Sequence, residues 1–472
     1  MRKSVFITAV LALLVALGCN RKPTFFIDEG DLSFSVDTIY FDSIFTNFPS
    51  PTERVTVINN SGNNVRIKKI EFQDGREFDM IFDGLPGNEV VDYELADGDS
   101  AVAFVSFNSE VKDEFLRDKL LFTVGDNVQD VDIEAYIFDG VFIRDSNLTP
   151  PFDSSVVWDP NLKYVIDGPL VIPDGVTLII PAGTQVYFTS RKDSDFNLTS
   201  MLVVFGTLRV FGEKDNEVVF QQTRFGDRYE ENPDQWWGIA FGNISTSNII
   251  EHAIIKNALI GVYQESSNLG FFPKVHLKST EIRNMSAYGV LGVGLVSALD
   301  ATPMIQADNC LIHNCNEGTF RTIGGGFYRF NHTTFANYTI DFTRNTPQMI
   351  LENYDPNSGA ELPLTAEFNN CIIWGSEEEE VVKDTIPGSS FNINFNHAIV
   401  RTTLPLQGSF IYKNQNPAFV TPIASEPYER DYRLSDVSPA INKGANLSSI
   451  TVDLDNAPRD ANPDLGAYEF QE

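Results

Sequence analysis

Hydrophobic and polar residues alternate along this chain in short runs bounded by Gly, Pro, Asn and Asp, the pattern of half-buried strands. Between residues 31 and 142 seven such runs follow one another, among them Leu32-Ser33-Phe34-Ser35-Val36, Arg54-Val55-Thr56-Val57-Ile58-Asn59 and Lys119-Leu120-Leu121-Phe122-Thr123-Val124. Polar turns such as Asn59-Asn60-Ser61-Gly62-Asn63 and Asp97-Gly98-Asp99 separate them. This succession predicts an antiparallel β-sandwich.

From residue 248 to residue 402 the alternation acquires a longer period. Six-residue segments starting at His252, Ser279, Asn309, His332, Asn370 and His397 can be laid on one another, with starts 27, 30, 23, 38 and 27 residues apart. The first position is Asn, His or Ser, the second is small and the fourth is apolar; the sixth is Asn at Asn257, Asn284, Asn314 and Asn337. A period of this length with strand alternation inside each unit predicts a solenoid of stacked short strands. Gly- and Pro-punctuated strands upstream extend it, so that the solenoid spans residues 161–430 with about nine to eleven coils. A Pro-rich linker is expected at 143–160, and residues 431–472 are expected to fold over the last coil and shield its edge.

At the front of the chain Arg2 and Lys3 precede an apolar run, residues 5–17, that ends at Gly18-Cys19. This is the pattern of a secretory signal, too short to span a bilayer comfortably. It resembles a bacterial lipoprotein signal (residues 1–19) in which Cys19 is the lipidated residue, with Ala16 where that family usually has Leu. Residues 20–30 then read as a tether, and the membrane is met through acyl chains alone. Cys310, Cys315 and Cys371 show no zinc spacing; Cys310 and Cys371 share the small second slot and read as packed thiols. The net charge of −31 excludes nucleic acid as the main partner.

Candidate chemistry is scarce. His252, His332 and His397 share one corner slot with Ser279, Asn309 and Asn370, which makes them scaffold before catalyst. If the second and fourth positions face inward, the fifth faces solvent, and that column reads Lys256, Arg283, His313, Ala336, Trp374 and Arg401. Basic groups on coils about 4.8 Å apart, with an aromatic farther along, form a candidate binding strip for an acidic polysaccharide. The carboxylates Glu251, Glu281, Asp308 and Glu367 each stand alone on a coil, without the neighbouring carboxylate a hydrolase needs. Residues 377–380, four consecutive glutamates, read as a solvated loop. Asp453, Asp455, Asp460 and Asp464 are the candidate Ca²⁺ ligands, although their spacing lacks the Gly and final Glu of a twelve-residue calcium loop. No other cofactor is expected.

Several stretches carry a resemblance: DGVTLIIPAGTQVYF at 174–188, GTLRVFG at 206–212, QWWGI at 235–239, SPAINKG at 438–444 and the closing DLDNAPRD and PDLGAYE at 453–460 and 463–469. Together they resemble right-handed parallel β-helix surface lipoproteins of the Bacteroidetes type. The DTIYFDSIF stretch at 37–45 is similar to the companion module of that family, an immunoglobulin-like β-sandwich without a disulfide. The resemblance implies an all-β fold, an immunoglobulin-like sandwich followed by a right-handed parallel β-helix. It also implies a monomer lipid-anchored at the outer membrane, in the cell envelope. The expected function is binding of a polysaccharide or an envelope protein without catalysis. The alternative is a polysaccharide lyase or glycoside hydrolase acting on acidic polysaccharide.

Overall fold

The computed structural model describes residues 25–46, 52–75, 77–107, 115–148, 154–195, 197–266, 271–295, 302–338, 344–424 and 429–471; the signal segment and Cys19 lie outside them. The chain forms two compact units that divide after Asp139. In the first, Leu32–Phe34, Thr52–Asn59, Ser100–Phe107, Phe78–Phe82 and Leu85–Pro86 make one five-stranded sheet. Thr38–Phe45, Asn127–Phe138, Phe115–Val124, Val65–Phe72 and Glu89–Leu95 make the other. Val55, Val57 and Val105 of one sheet and Ile67, Phe122 and Ile133 of the other share a single buried core, as alternation requires. The sandwich departs from the purely antiparallel expectation at one pair, because Asn127–Phe138 runs parallel to Thr38–Phe45.

The second unit is a parallel β-helix whose strands form one continuous 26-stranded sheet. A single coil shows its plan: Asn248–Glu251 lies on a first face, Ala253–Lys256 on a second and Ala258–Glu265 on a third. Each pairs in parallel with the equivalent strand of the next coil, Ile255 with Ile282 and Ile282 with Ile312, for example. The solenoid starts earlier than expected. Val141–Asn147 pairs with Lys163–Ile172, and Ser155–Val157 with Thr177–Pro181. The stretch read as a linker thus supplies the first coil and covers an edge that would otherwise be bare.

The corner slot has a backbone cause. His252, Ser279, Asn309, His332, Asn370 and His397 all have left-handed backbone, with φ between 44° and 55°. Asn and His are among the non-glycine residues that tolerate this region best. The bend aims each amide at the coil above. His252, Ser279, Asn309, His332 and Asn370 donate to the carbonyls of Lys278, Asp308, Asn331, Asn369 and Asn396, all at 2.9–3.1 Å. At the second position Thr280, Cys310, Thr333 and Cys371 each donate to the carbonyl two residues back, at 2.9, 3.4, 3.2 and 3.3 Å. The two cysteines therefore do the work of threonine, and burial pushes both thiols up to about 12. Inside, side chains stack coil on coil: Phe330 on Phe368 at 5.3 Å and Phe368 on Phe395 at 4.8 Å.

The C-terminal segment does not shield the last coil, whose strand Gln407–Lys413 remains largely exposed. It runs as a strap along the outer side of the second face. Its Phe419, Tyr432, Leu434, Leu465 and Ala467 bury Leu311, Ala336, Ile372, Trp374 and Ile399. This apolar outer row, unusual for a solenoid exterior, is what draws the strap to this side. The corner residues fasten it. Asn370 accepts from the Ala445 amide at 2.8 Å and donates to the Ala445 carbonyl at 2.7 Å. Asn309 donates to the Val452 carbonyl at 2.7 Å, and His397 meets the Lys443 carbonyl at 2.7 Å. Arg459 bonds both Asn309, at 2.9 Å, and Glu469, at 3.0 Å. Burial, with the charge of Asp464, outweighs Arg459 and pushes the Glu469 carboxyl up to about 7.

Two outcomes follow from this geometry. Ser279→Gly leaves stability unchanged or raised, whereas Ser279→Val forces a β-branched residue into left-handed backbone and costs about 1–3 kcal/mol, read from denaturant midpoints. For Glu469, whose native carboxyl holds its proton above the usual 4.5 and up to about 7, the native state binds more protons than the unfolded chain across that window. Stability conferred by the strap therefore falls as pH rises from about 4.5 to about 7, and Glu469→Gln flattens that slope in melting temperatures measured across it.

Candidate functional site

The predicted fifth-position column exists in register: Lys256 pairs with Arg283, Arg283 with His313, His313 with Ala336 and Ala336 with Trp374. It does not face solvent. Lys256, His313 and Trp374 are only 4%, 5% and 7% exposed. The third-position Leu311, Thr334, Ile372 and Ile399 are buried as well. Alternation puts these side chains outside the coil, but two other parts of the chain lie on top. Around the one-turn helix Asp227–Glu230, Glu230 bonds Lys256, and Glu231 bonds Arg283 at 3.3 Å and also reaches Asn284. His313 sits under the Tyr432 ring of the strap, 4.7 Å between centroids.

The carboxylates of this region are likewise occupied. Glu281 takes hydrogen bonds from Arg283 and His313, both at 2.8 Å. Burial pushes its carboxyl up, but the charges of Arg283 and His313 outweigh burial and hold it far below the usual range. On the first face Asp308 is bonded by His276 at 2.6 Å and by Asn331 at 2.7 Å. These contacts hold it low against burial. Glu367 pairs with Arg329 at 2.7 Å, and Glu251 with Lys278 at 3.7 Å. Each candidate carboxylate thus faces a base, and where a second carboxylate is near, as Glu231 is to Glu281, Arg283 bridges the two, which suits packing of a charged surface more than the paired-acid chemistry of a hydrolase. Beside Asp308 the ladder continues through amides, Asn369 to Asn331 at 2.9 Å and Asn396 to Asn369 at 3.1 Å. This amide ladder sits one residue before the corner slot, a position the six-residue pattern left out.

The residues read as calcium ligands have other partners. Asp453 accepts from the amides of Asp455, Ala457 and Glu469, each at 2.8 Å. Asp464 accepts from those of Asn442 and Phe470, both at 2.6 Å. Asp455 pairs with Arg433 and Lys214, at 2.7 and 3.2 Å, and Asp460 accepts from the Asn462 amide at 2.7 Å. Their spacing, short of a calcium loop, is that of turns which fold the strap. The glutamate run is not a solvated loop either. Glu380 is fully buried, bonded by Arg344 at 2.7 and 2.8 Å. Glu379 accepts from Thr402 and Thr403. The carboxylate of Glu380 lies where Gly375 has no side chain: a Cβ there would come within 2.1 Å of it.

At the margin of the strap, which still buries Ile372, Trp374 and Ile399, lies an open cleft of about 680 Å³. One wall is the coil surface, with Tyr338, Trp374, Glu378, Arg401 and Thr403; the other is Asn414, Asn416, Ala418, Phe419, Pro422 and Ile423. The Arg401 guanidinium lies over the Trp374 ring, 5.2 Å from its centroid, and donates to the Gly375 carbonyl. The Arg401 carbonyl in turn accepts from the Glu380 amide at 3.0 Å, so the buried Arg344–Glu380 pair fixes the backbone that carries Arg401. Thr403 and Asn414 are already bonded, to Glu379 and to Thr402. The volume is in the range of small-ligand sites, and the lining mixes the aromatics Tyr338, Trp374 and Phe419 with the polar Glu378, Arg401, Thr403, Asn414 and Asn416. Of the five residues predicted to bind, the structure places Trp374 and Arg401 here; Lys256, Arg283 and His313 lie under cover. Tyr338, Phe419 and Asn416 carried no signal in the sequence, because they come from outside the six-residue unit.

No protein-family model matches the chain, and no curated protein does. Three chains of solved structures match. One is the catalytic unit of the thermostable GH87 α-1,3-glucanase from Streptomyces thermodiastaticus, 8% identical, covering 74% of this chain and 80% of that one with a TM-score of 0.19. A likeness that distant carries no argument about what this chain does.

Covered and open positions of the one column respond differently to substitution. Arg283→Met leaves Glu231 and Glu281 facing each other under cover and costs about 3–5 kcal/mol in urea unfolding. Ligand affinity at the cleft, measured on the folded fraction, stays unchanged.

Proposed function

We propose that this is a cell-envelope protein, anchored through a lipidated Cys19, whose β-helix binds glycan in the cleft between Trp374 and the strap without chemical transformation. The sandwich is then a spacer between the anchor and the helix. The reading rests on one observation above the rest: the cleft brings Tyr338, Trp374 and Phe419 together with Arg401, Glu378 and Asn416. Aromatic surface with a few directional polar groups suits the apolar faces and hydroxyl rims of sugar rings. The same residue set speaks against catalysis. Among the lining residues Glu378 is the single carboxylate, and the single strong base, Arg401, is committed to the Trp374 ring and the Gly375 carbonyl. A hydrolase requires a second carboxylate about 5–10 Å away that is free to act, whereas the neighbouring Glu379 is taken up by Thr402 and Thr403; a lyase requires a base poised over the sugar.

Co-sedimentation with a panel of neutral and acidic polysaccharides, followed by analysis of the supernatant, tests this. Retention of the protein on at least one glycan, weakened about tenfold or more by Trp374→Ala, is expected, with no new reducing or unsaturated ends. Release of such ends, abolished by Glu378→Gln, would replace binding with hydrolysis or elimination.

A further inference from the structure

The polar groups of the cleft are unequally spent, and the remainder defines what completes it. Thr403 and Asn414 are satisfied within the protein, as described. The guanidinium of half-buried Arg401 has a carbonyl and an aromatic ring as its partners and no ion pair among the described residues. Arg209 on Thr207–Phe211 is likewise without an ion pair among the described residues, but it does not line the cleft; the other outer-strand arginines nearer to Arg401 are paired. Arg283 is paired with Glu231 and Glu281, Arg321 with Glu352, and Arg329 with Glu367. In a chain of net charge −31, Arg401 is thus a half-buried guanidinium that lines a cleft and has no ion pair among the described residues. The Tyr338 hydroxyl is on the same wall, likewise without a hydrogen-bond partner among the described residues, and close enough to Arg401 to feel its charge. Asn416 uses its carbonyl oxygen on the Ala418 amide, at 2.9 Å, which leaves its NH₂ as a donor.

Among the lining residues, Arg401, Tyr338 and Asn416 thus carry donors not spent on a carboxylate, against one charged acceptor, the Glu378 carboxylate. Glu378 is exposed, where solvent screens its charge, whereas the Arg401 charge is partly desolvated and acts more strongly. We infer that the cleft is selective for a carboxylate-bearing sugar, a uronic acid unit within an oligosaccharide. Its carboxylate takes the open edge of the Arg401 guanidinium with the Tyr338 hydroxyl, and its ring lies against Phe419 and the Trp374 edge. A planar carboxylate matches the fork of a guanidinium better than a hydroxyl does. Glu378 then sits at the rim, where it accepts from ring hydroxyls and weakens acid binding through like charge. This inference rests on the glycan reading of the cleft.

The test uses calorimetric titration of the full mature chain with a uronic acid oligomer and with the same oligomer after its carboxyl groups have been reduced to alcohols. At 0.15 M salt the acidic oligomer is expected to bind at least tenfold more tightly. Arg401→Gln should abolish the difference by weakening the acidic oligomer alone. Glu378→Gln removes the like charge at the rim and should shift the preference the other way, raising the ratio of acidic to reduced affinity two- to fivefold. Circular dichroism melting of both variants confirms that they are folded; if Arg401→Gln is not, Tyr338→Phe takes its place, with the same sign and a smaller loss. Equal affinity for the two oligomers overturns the inference and leaves a neutral-glycan cleft standing. An acid preference that survives in Arg401→Gln also overturns it. Binding of neither oligomer, together with no glycan retained in co-sedimentation, overturns both readings.

Discussion

Everything in the larger unit depends on the parallel hydrogen bonding of each coil to the next. A parallel ladder is satisfied only if consecutive coils turn at the same place and in the same way. Here that demand falls on the corner residue of each coil, and on Asn257, Asn284 and Asn314 at the next bend, held in left-handed backbone so that the amide rises to a carbonyl of the next coil. Side chains at the corner are chosen first by that conformation, which explains why Asn, His and Ser can share a slot despite unlike chemistry. What these side chains do afterwards is free to vary, and in this chain Asn309, Asn370 and His397 hold the strap.

Coverage of the second face changes the meaning of its charges. Lysine and arginine on an outer strand position normally keep a solenoid soluble and its surface polar. Once the helical turn and the strap lie over them, the same groups are desolvated and must be paired. Glu230, Glu231 and Glu281 supply the pairing for Lys256, Arg283 and His313. The excess of acid in this chain is thus partly internal, spent on bases that the fold has covered. Arg401, at the cleft on the strap's margin, has no ion pair among the described residues.

The all-β class, the sandwich, the solenoid and the register of its coils were legible in the sequence, because period-2 alternation and a repeated corner are local signals that recur. The strap was not. Its contacts join residues such as Asn309 and Val452 or Asn370 and Ala445, separated by long stretches of chain and bound through backbone groups that leave no compositional trace. For the same reason alternation assigned Lys256 and His313 to the correct side of the strand and to the wrong environment: it distinguishes inside from outside a coil, not covered from open. Trp374 and Arg401 were found through the repeat, whereas Tyr338 and Phe419 joined them only through tertiary folding.

A solenoid in which each coil touches only its neighbours can lose coils from one end, since nothing links the early turns to the late ones. The strap removes that freedom. It reaches from Lys214, through Asp455, to His397, through Lys443, and so crosses much of the stack with bonds to several turns on the way. Fraying at one end must then break contacts belonging to coils far along the axis. The coils beneath the strap are thereby tied to one another, and the cleft at its margin inherits a wall whose position is set by the whole array rather than by the coil it borders.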